Sequence, residues 1–194
     1  MAEAGWLADL IETGALMEGH FLLTSGRHGD RFMLLSKLME DPGRARPWIR
    51  ELARFGESLS PDRIVGPAMG GVILAWAVAS EMPSGPKASF AEKVEGQGGQ
   101  KRMVIRRGLR PLPGERVLVV EDAMTTGGSV MLAVDAVREA GAEVVGVGVL
   151  VDRRPEDFRI PYPTFSVLRL LAAAYRAADC PLCAEGVPLA TPKA

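Results

Sequence analysis

Residues 117–129 read Val-Leu-Val-Val-Glu-Asp-Ala-Met-Thr-Thr-Gly-Gly-Ser, and this stretch decides the fold. Its first four residues are aliphatic and follow a Pro-Gly turn signal, which is typical of a strand buried on both faces of a parallel sheet. The strand delivers Glu121 and Asp122 to its carboxyl end, the edge at which open α/β sheets bind ligands. Residues 125–129 then precede a helix predicted over 130–140. Their backbone N–H groups and hydroxyls therefore predict an anion-binding loop.

A phosphate group suits this loop, because it accepts several hydrogen bonds from N–H groups at a helix start. The two acids cannot hold the same phosphate, but they can accept hydrogen bonds from the vicinal hydroxyls of a ribose. The stretch therefore predicts a site for a ribose 5-phosphate. It is not a Walker loop, because the Gly-Lys-Ser/Thr ending is missing. An ordinary strand-to-helix turn with a Ser cap is the alternative, but such a turn does not need the adjoining acids.

The first 36 residues differ in pattern from the rest of the chain. Apolar side chains at helical spacing predict a helix over residues 3–17. Two short extended runs, 20–24 and 31–36, flank a segment with the composition of a turn, 25–30. They predict a small subdomain beside the main sheet.

Strands and helices then alternate along the chain, which predicts an α/β fold with a doubly wound, mainly parallel sheet flanked by helices. The predicted helices cover residues 42–59, 72–80 and 130–140. The predicted strands cover residues 63–67, 88–91, 103–105, 117–120, 142–152 and 165–171.

Two further segments of this α/β region are candidates for function. Residues 68–71, Ala-Met-Gly-Gly, follow the strand over 63–67 and place backbone amides at its carboxyl end; the alternative is that the glycines serve only close packing. Residues 92–102 form a polar, glycine-containing loop that carries Lys93, Lys101 and Arg102. A loop of this length is often a mobile lid, although a solvated connection is the alternative.

Composition limits the classes of function. A chain of 194 residues with 47% hydrophobic content fits one domain with a substantial core. A net charge of −1 gives no general attraction to nucleic acid or to anionic membranes. The N-terminus shows no basic region followed by an apolar core, so we expect a cytoplasmic protein.

Cys180 and Cys183 form a single Cys-Pro-Leu-Cys motif near the C-terminus. A zinc site needs two further ligands, which the neighbouring sequence does not provide. The sequence favours two reduced thiols, and leaves open a metal shared between two chains or a redox role.

The central stretch resembles the 5-phosphoribosyl-1-diphosphate (PRPP) motif of type I phosphoribosyltransferases. Residues 14–16, 19–28 and 30–32 are similar to the N-terminal hood of the orotate phosphoribosyltransferases. Further matching segments follow in the family's order at residues 66–71, 90–93, 106–108 and 152–153. The resemblance implies a single phosphoribosyltransferase domain over residues 1–194. Residues 1–40 with part of the C-terminus would form the hood, and about 60–152 the PRPP-binding core.

This resemblance implies transfer of the phosphoribosyl group from PRPP to N1 of orotate, giving orotidine 5′-monophosphate and diphosphate in pyrimidine (UMP) biosynthesis. It also implies Mg²⁺ as cofactor, held mainly by PRPP and water, which agrees with the few protein ligands that Mg²⁺ needs. A homodimer is implied, with the lid loop shared across the interface. Neither nucleic acid nor membrane is an expected partner.

Residue roles follow from the match to the motifs. Glu121, Asp122 and Lys93 are implied to be catalytic, and Thr125 and Arg153 to bind orotate. The implied PRPP-binding residues are Met69, Gly70, Gly71, Lys93, Glu121, Asp122, Ala123, Met124, Thr125, Thr126, Gly127, Gly128 and Ser129. The chain also departs from the family, because some members carry a lysine at the positions of Thr24 and Gly70, and basic residues or histidine at those of Glu92, Gly96 and Gly98.

Two other functions compete with this interpretation. A phosphoribosyltransferase for a purine base would be expected to carry aromatic stacking side chains late in the chain and would not need Arg153. A PRPP-sensing regulator without turnover is a different class, since a fold does not fix a function. The sequence shows neither an appended DNA-binding segment nor a basic stripe, which counts against the regulator.

Overall fold

The computed structural model describes residues 3–23, 25–95, 97–155 and 158–191. The chain divides into two compact units. The first contains the described residues up to Ala45 and from Leu170 onward, and the second runs from Arg46 to Arg169.

Helices and strands alternate through most of the second unit. The α-helices are α1 (Glu3–Glu12), α2 (Ser36–Met39), α3 (Pro42–Leu59), α4 (Gly70–Glu81), α5 (Gly128–Glu139) and α6 (Pro181–Ala184). The strands are β1 (Leu16–Leu22), β2 (His28–Met33), β3 (Arg63–Pro67), β4 (Lys87–Glu95), β5 (Lys101–Val104), β6 (Arg116–Met124), β7 (Glu143–Asp152), β8 (Thr164–Arg169) and β9 (Ala174–Tyr175). Short 3₁₀ turns cover Gln97–Gly99 and Ala177–Asp179.

A six-stranded sheet organises the second unit, in the order β5-β4-β3-β6-β7-β8. All neighbouring pairs are parallel except β4 with β5. The predicted α/β class with a mainly parallel sheet flanked by helices is confirmed. Because the parallel strands run in one direction, the connections after β3, β6 and β7 all leave from the same edge, where ligands bind in such sheets.

Packing on both faces explains why the central strands are so apolar. On one face Val119 of β6 and Val147 of β7 belong to the same buried cluster as Val134 of α5. On the other face, glycines allow close approach: a Cβ on Gly148 would lie 3.3 Å from Leu52 of α3, and one on Gly66 would overlap the backbone of Gly71 in α4. The strands therefore read as continuous aliphatic runs rather than as alternating ones.

The first unit contains a small antiparallel sheet in the order β1-β2-β9. The predicted helix over residues 3–17 was too long, because the helix ends at Glu12 and β1 already begins at Leu16. Gly14 explains the stop: it has a φ of 71°, and its N–H donates to the carbonyl of Ile11. A glycine in this left-handed conformation just past a helix is a common C-terminal cap.

The polar segment 92–102 was predicted as a loop, but its described residues at both ends belong to two paired strands. β4 continues to Glu95, and Lys93 pairs with Met103 of β5 across an antiparallel ladder. Two-residue periodicity in Lys93, Glu95, Lys101 and Met103 was the strand signal that the glycines obscured. No helix in the described parts of the chain is long and apolar enough to cross a bilayer.

Candidate active site

Two acids stand near the end of β6, inside the strand rather than after it. Glu121 is buried, with 8% of its surface exposed, and Asp122 is half-buried. The two neighbouring carboxyl groups differ in burial and therefore lie in different environments. Asp122 Oδ1 accepts a hydrogen bond of 2.7 Å from the N–H of Ala123.

Burial changes the protonation of Glu121. Desolvation, reinforced by the charge of Asp122 and a hydrogen bond with it, raises the pKa of Glu121 from its usual 4.5 to about 8. Lys93 opposes this shift through its positive charge. At neutral pH Glu121 therefore carries a proton and can donate a hydrogen bond, while Asp122 offers carboxylate oxygens as acceptors.

The connection between β6 and α5 has the geometry of an anion-binding loop. Gly127 is the N-cap of α5 and has a φ of 67°, a conformation that favours glycine. Its carbonyl accepts the N–H of Met131, while the first N–H groups of a helix have no acceptor within the helix. Thr125, Thr126 and Gly128 are exposed at this point. The loop therefore presents donors to solvent at the positive end of a helix dipole.

The other implied residues of this motif differ in what they can offer. Ala123 and Ser129 are half-buried, whereas Met124 has only 1% of its surface exposed and packs in the core beside α5. Met124 can thus bind a ligand only through its backbone.

The connection between β3 and α4 combines packing with a possible contact to the acids. Glycine is required at positions 66 and 71 because the two backbones lie close together: a Cβ on Gly66 would lie 2.0 Å from the carbonyl oxygen of Gly71. Gly70 instead faces the acid pair, because its Cβ would lie 2.6 Å from Asp122 Oδ2. A cis peptide bond joins Ala68 to Met69, whose side chain is 84% exposed. Packing, the alternative weighed for this loop, explains Gly66 and Gly71 but not Gly70.

The end of β7 brings Arg153 beside the connection between β6 and α5. Met124 and Asp152 are register partners, and the N–H of Arg153 donates to the carbonyl of Met124 at 2.8 Å. Arg153 therefore leaves the sheet next to Thr125, the other residue implied to bind orotate. Its side chain is half-buried.

Asp152, the last residue of β7, forms an ion pair with Arg154. Arg154 donates from Nε and Nη2 to the two carboxylate oxygens at 2.9 and 2.8 Å, and both residues are buried. Burial alone would raise the pKa of Asp152, but the hydrogen bonds from Arg154 outweigh it and lower the pKa. Asp152 is thus paired with Arg154, and Glu156 lies outside the described residues.

Two lysines of the β4–β5 hairpin lie close to the β6–α5 connection of the same chain. Lys93 and Lys101 line one cleft of about 660 Å³ together with Thr126, Gly128 and Ser129. Arg102, the other cation expected to act here, donates instead to Glu139 at 2.8 Å. Lys101 is missing from the implied site residues, and only the two-residue spacing along the hairpin could have placed it beside Lys93.

The oxygen donors at this edge fit Mg²⁺. Asp122 Oδ2 lies beside Gly70, one of the residues implied to bind PRPP. One carboxylate at the site is sufficient, because Mg²⁺ keeps several waters and takes its other ligands from substrate phosphates.

Together the paired acids, the glycine loop at the start of α5 and the parallel sheet define a phosphoribosyltransferase site. A family model described as the phosphoribosyl transferase domain matches residues 47–181. A relative named orotate phosphoribosyltransferase in Caldanaerobacter subterraneus is 43% identical over 90% of this chain and 88% of its own length. One of the same name in Thermotoga maritima is 43% identical over 94% of both chains. The chain belongs to the orotate phosphoribosyltransferase family.

Solved structures agree with this family. The orotate phosphoribosyltransferase from Aeropyrum pernix aligns with a TM-score of 0.69 at 26% identity, covering 83% of this chain and 91% of its own. An adenine phosphoribosyltransferase from Rhodothermus marinus aligns with a TM-score of 0.64 at 22% identity, covering 86% and 99% of the two chains, and shows the shared fold alone.

Proposed function

We propose that the protein transfers the phosphoribosyl group of PRPP to N1 of orotate, releasing diphosphate and forming orotidine 5′-monophosphate. The observation that carries the proposal is the placement of Glu121 and Asp122 directly before the Gly127 loop, at the ligand-binding edge of the sheet. This arrangement suits a ribose whose hydroxyls meet the acids and whose 5′-phosphate lies at the start of α5.

The chain acts mainly by positioning and by charge. The anomeric carbon becomes cationic as diphosphate departs, so the residues must hold orotate in line and stabilise the leaving group. In our proposal Asp122 accepts a hydrogen bond from one ribose hydroxyl, and protonated Glu121 donates to another ribose oxygen. The backbone of residues 125–129 binds the 5′-phosphate, and residues 69–71 with Lys93 bind the diphosphate.

Mg²⁺, when bound with PRPP, neutralises part of the diphosphate charge. Asp122 is the residue we expect to contribute an oxygen ligand, directly or through water. Some relatives carry a lysine at the position of Gly70. In this chain such a side chain would have to displace the carboxylate of Asp122, because its Cβ would lie 2.6 Å from Asp122 Oδ2.

An assay of product release separates the proposed reaction from its alternatives. The protein is mixed with PRPP and Mg²⁺, and diphosphate is measured with orotate, uracil, adenine, guanine or no base. We expect release with orotate alone. Release with a purine would replace the substrate assignment, and PRPP binding without release for any base would support a regulator.

Selectivity for orotate requires a cation, because orotate differs from uracil by a carboxylate. We assign this contact to Arg153, whose planar guanidinium can form paired hydrogen bonds. The KM for orotate should rise in Arg153→Lys and more in Arg153→Ala, while PRPP affinity changes little. Equal loss of affinity for both substrates, or wild-type kinetics in Arg153→Ala, would contradict the assignment.

We also propose a homodimer. α4 is apolar on two faces, since Leu74 and Val78 are buried while Ile73 and Trp76 are 60% and 68% exposed. An exposed apolar patch on a helix whose other face is buried is typical of a protein–protein interface. Sedimentation should give a dimer, and Trp76→Glu should give a monomer; a wild-type monomer would contradict this proposal.

In such a dimer we expect the β4–β5 hairpin to act across the interface. Lys93→Ala and Asp122→Asn chains, each weakly active, should then form hybrid dimers that contain one competent site. If mixing under subunit exchange restores no activity, Lys93 acts on the cleft of its own chain, which it already lines.

Two coarser assignments complete the proposal. The first structural unit, with its β1-β2-β9 sheet, corresponds to the hood, and the second contains the PRPP-binding core. We place the reaction in the cytoplasm, with neither nucleic acid nor membrane as a partner.

A further inference from the structure

The chain contains two histidines and two cysteines, and all four lie in one cluster within the first structural unit. Their potential ligand atoms all lie within 4.8 Å of one another. His20, His28 and Cys180 are buried, with 3%, 7% and 4% of their surfaces exposed, and Cys183 is the exposed member. The sequence alone did not show the two further ligands, because they are about 160 residues from the cysteines.

The fold brings the four residues together through two short elements. His20 and His28 lie on β1 and β2, and the strand register shifts between Glu18 and Phe21, around His20. Such a bulge redirects a side chain, here toward the next strand. On the other side, β9 pairs with β2, and α6 then carries Cys183 one turn beyond Cys180. Cysteines at this spacing can bind one ion together.

The distances between ligand atoms are those of a small tetrahedral site. His20 Nε2 lies 2.9 Å from His28 Nδ1, while Cys180 Sγ and Cys183 Sγ lie 3.5 and 3.7 Å from His20 Nε2. Cys183 Sγ is 3.2 Å from His28 Nδ1. Bond lengths of about 2.0 Å for Zn–N and 2.3 Å for Zn–S imply tetrahedral edges of about 3.3 Å between nitrogens and about 3.5 Å between nitrogen and sulfur. Four of the six pairs are therefore within about half an ångström of tetrahedral geometry, and the other two lie within 4.8 Å.

An outer hydrogen bond already orients one ligand. His20 Nδ1 lies 2.8 Å from the carbonyl oxygen of Val187, so it carries the proton and donates it. This tautomer leaves the lone pair of Nε2 directed into the cluster. Metal-binding histidines are usually held in this way by a carbonyl or carboxylate.

We propose that His20, His28, Cys180 and Cys183 bind one Zn²⁺ in a closed structural site. Two thiolates and two imidazoles select a borderline-soft ion such as Zn²⁺ rather than the Mg²⁺ of the proposed reaction. Four protein ligands leave no open position for substrate, so the role is structural. The ion would connect the β1–β2 hairpin to the C-terminal segment, which also binds β1 through hydrogen bonds between Leu22, His20 and Ala190. It would thereby cross-link residues 160 positions apart.

Metal content and cobalt spectroscopy test the proposal. The intact protein is purified under reducing conditions, dialysed against a weak chelator and analysed for metals, and the apo-protein is then titrated with Co²⁺. We expect one zinc per chain, visible bands of tetrahedral cobalt, and a near-ultraviolet band from two thiolates. Adding Zn²⁺ to the apo-protein should raise its melting temperature.

Variants locate the ion. Cys180→Ser and Cys183→Ser should lose most of the zinc, whereas Glu185→Gln, an exposed change on the same segment, should keep it. If the serine variants do not fold, the wild-type cobalt spectrum still decides, because octahedral or thiolate-free cobalt would overturn the proposal. Zinc retained equally by folded serine variants would also overturn it. So would reduced wild-type protein that binds neither metal, or whose melting temperature does not change when Zn²⁺ is added.

Discussion

The β3–α4 and β6–α5 connections look alike in sequence, since each runs from a buried strand through adjacent glycines into a helix. Their glycines are required for different physical reasons. In the first, Gly66 and Gly71 are required because two backbones touch, with only 2.0 Å available to a Cβ. In the second, Gly127 is required by its φ of 67°, and Gly128 has room for a Cβ.

This difference separates packing from ligand binding. Close contact between β3 and α4 fixes the position of Gly70, which faces Asp122, whereas the left-handed turn at Gly127 directs N–H groups outward. The first connection therefore mainly supports the acid pair, and the second is the phosphate site that we propose. The following variants test that division.

The largest expected effect is in Gly66→Ala. Its methyl group would overlap the Gly71 carbonyl, so β3 and α4 must separate, at a cost of about 3 kcal/mol. We expect a melting temperature about 10 °C lower, or no folded protein. Gly70→Ala is the control, because its methyl meets only the movable carboxylate of Asp122; it should stay folded and bind PRPP more weakly. Wild-type melting of Gly66→Ala would show that the two backbones are not in contact.

Asp122→Asn should affect catalysis rather than folding. The amide keeps the shape of the carboxylate but loses its charge, and we expect kcat/KM to fall about 100-fold with a melting curve near wild type. Asp135→Asn, the same change at an exposed position of α5, is the matched control and should retain full activity. Equal rates in both variants would remove Asp122 from the site.

Gly127→Ala and Gly128→Ala form a matched pair within the phosphate loop. Alanine at the left-handed Gly127 costs about 1–2 kcal/mol, whether by strain or by a changed loop, whereas alanine fits at Gly128. PRPP affinity measured by calorimetry should fall about tenfold in Gly127→Ala and less in Gly128→Ala. A Cβ on residue 127 would also lie 3.1 Å from the ring of Phe158, so valine at this position would disturb packing as well as binding. The reverse order of affinities would mean that the turn at Gly127 does not shape the site.

Much of this account followed from the sequence, and the failures have physical causes. The bounds of β3 and α3 were predicted correctly, because a short aliphatic run and a long amphipathic helix carry strong local signals. Local patterns could not show the 4.8 Å cluster of His20, His28 and the cysteines, which depends on strand pairing between distant segments. They also could not show the proton on Glu121, because its pKa depends on burial in the folded sheet.

The remaining prediction concerns Glu121 and the dependence of stability on pH. The raised pKa means that the folded protein keeps a proton between pH 4.5 and about 8 that the unfolded chain has lost, so stability falls as pH rises through that range. The slope from this group should be up to about 1.4 kcal/mol for each pH unit. Chemical denaturation of wild type and Glu121→Gln across the range should show a steeper decline in wild type. Parallel curves would mean that Glu121 is ionised in the folded protein.

Hydrogen–deuterium exchange of the intact protein, with and without PRPP and Mg²⁺ and in the absence of orotate, tests the central claim most directly. If the backbone of residues 125–129 holds the 5′-phosphate, amides in that loop and in the first turn of α5 should exchange more slowly when PRPP is bound. Amides near Glu139, at the far end of α5, should be unchanged. Protection confined to the 68–71 loop, or absent from 125–129 at saturating PRPP, would contradict the account.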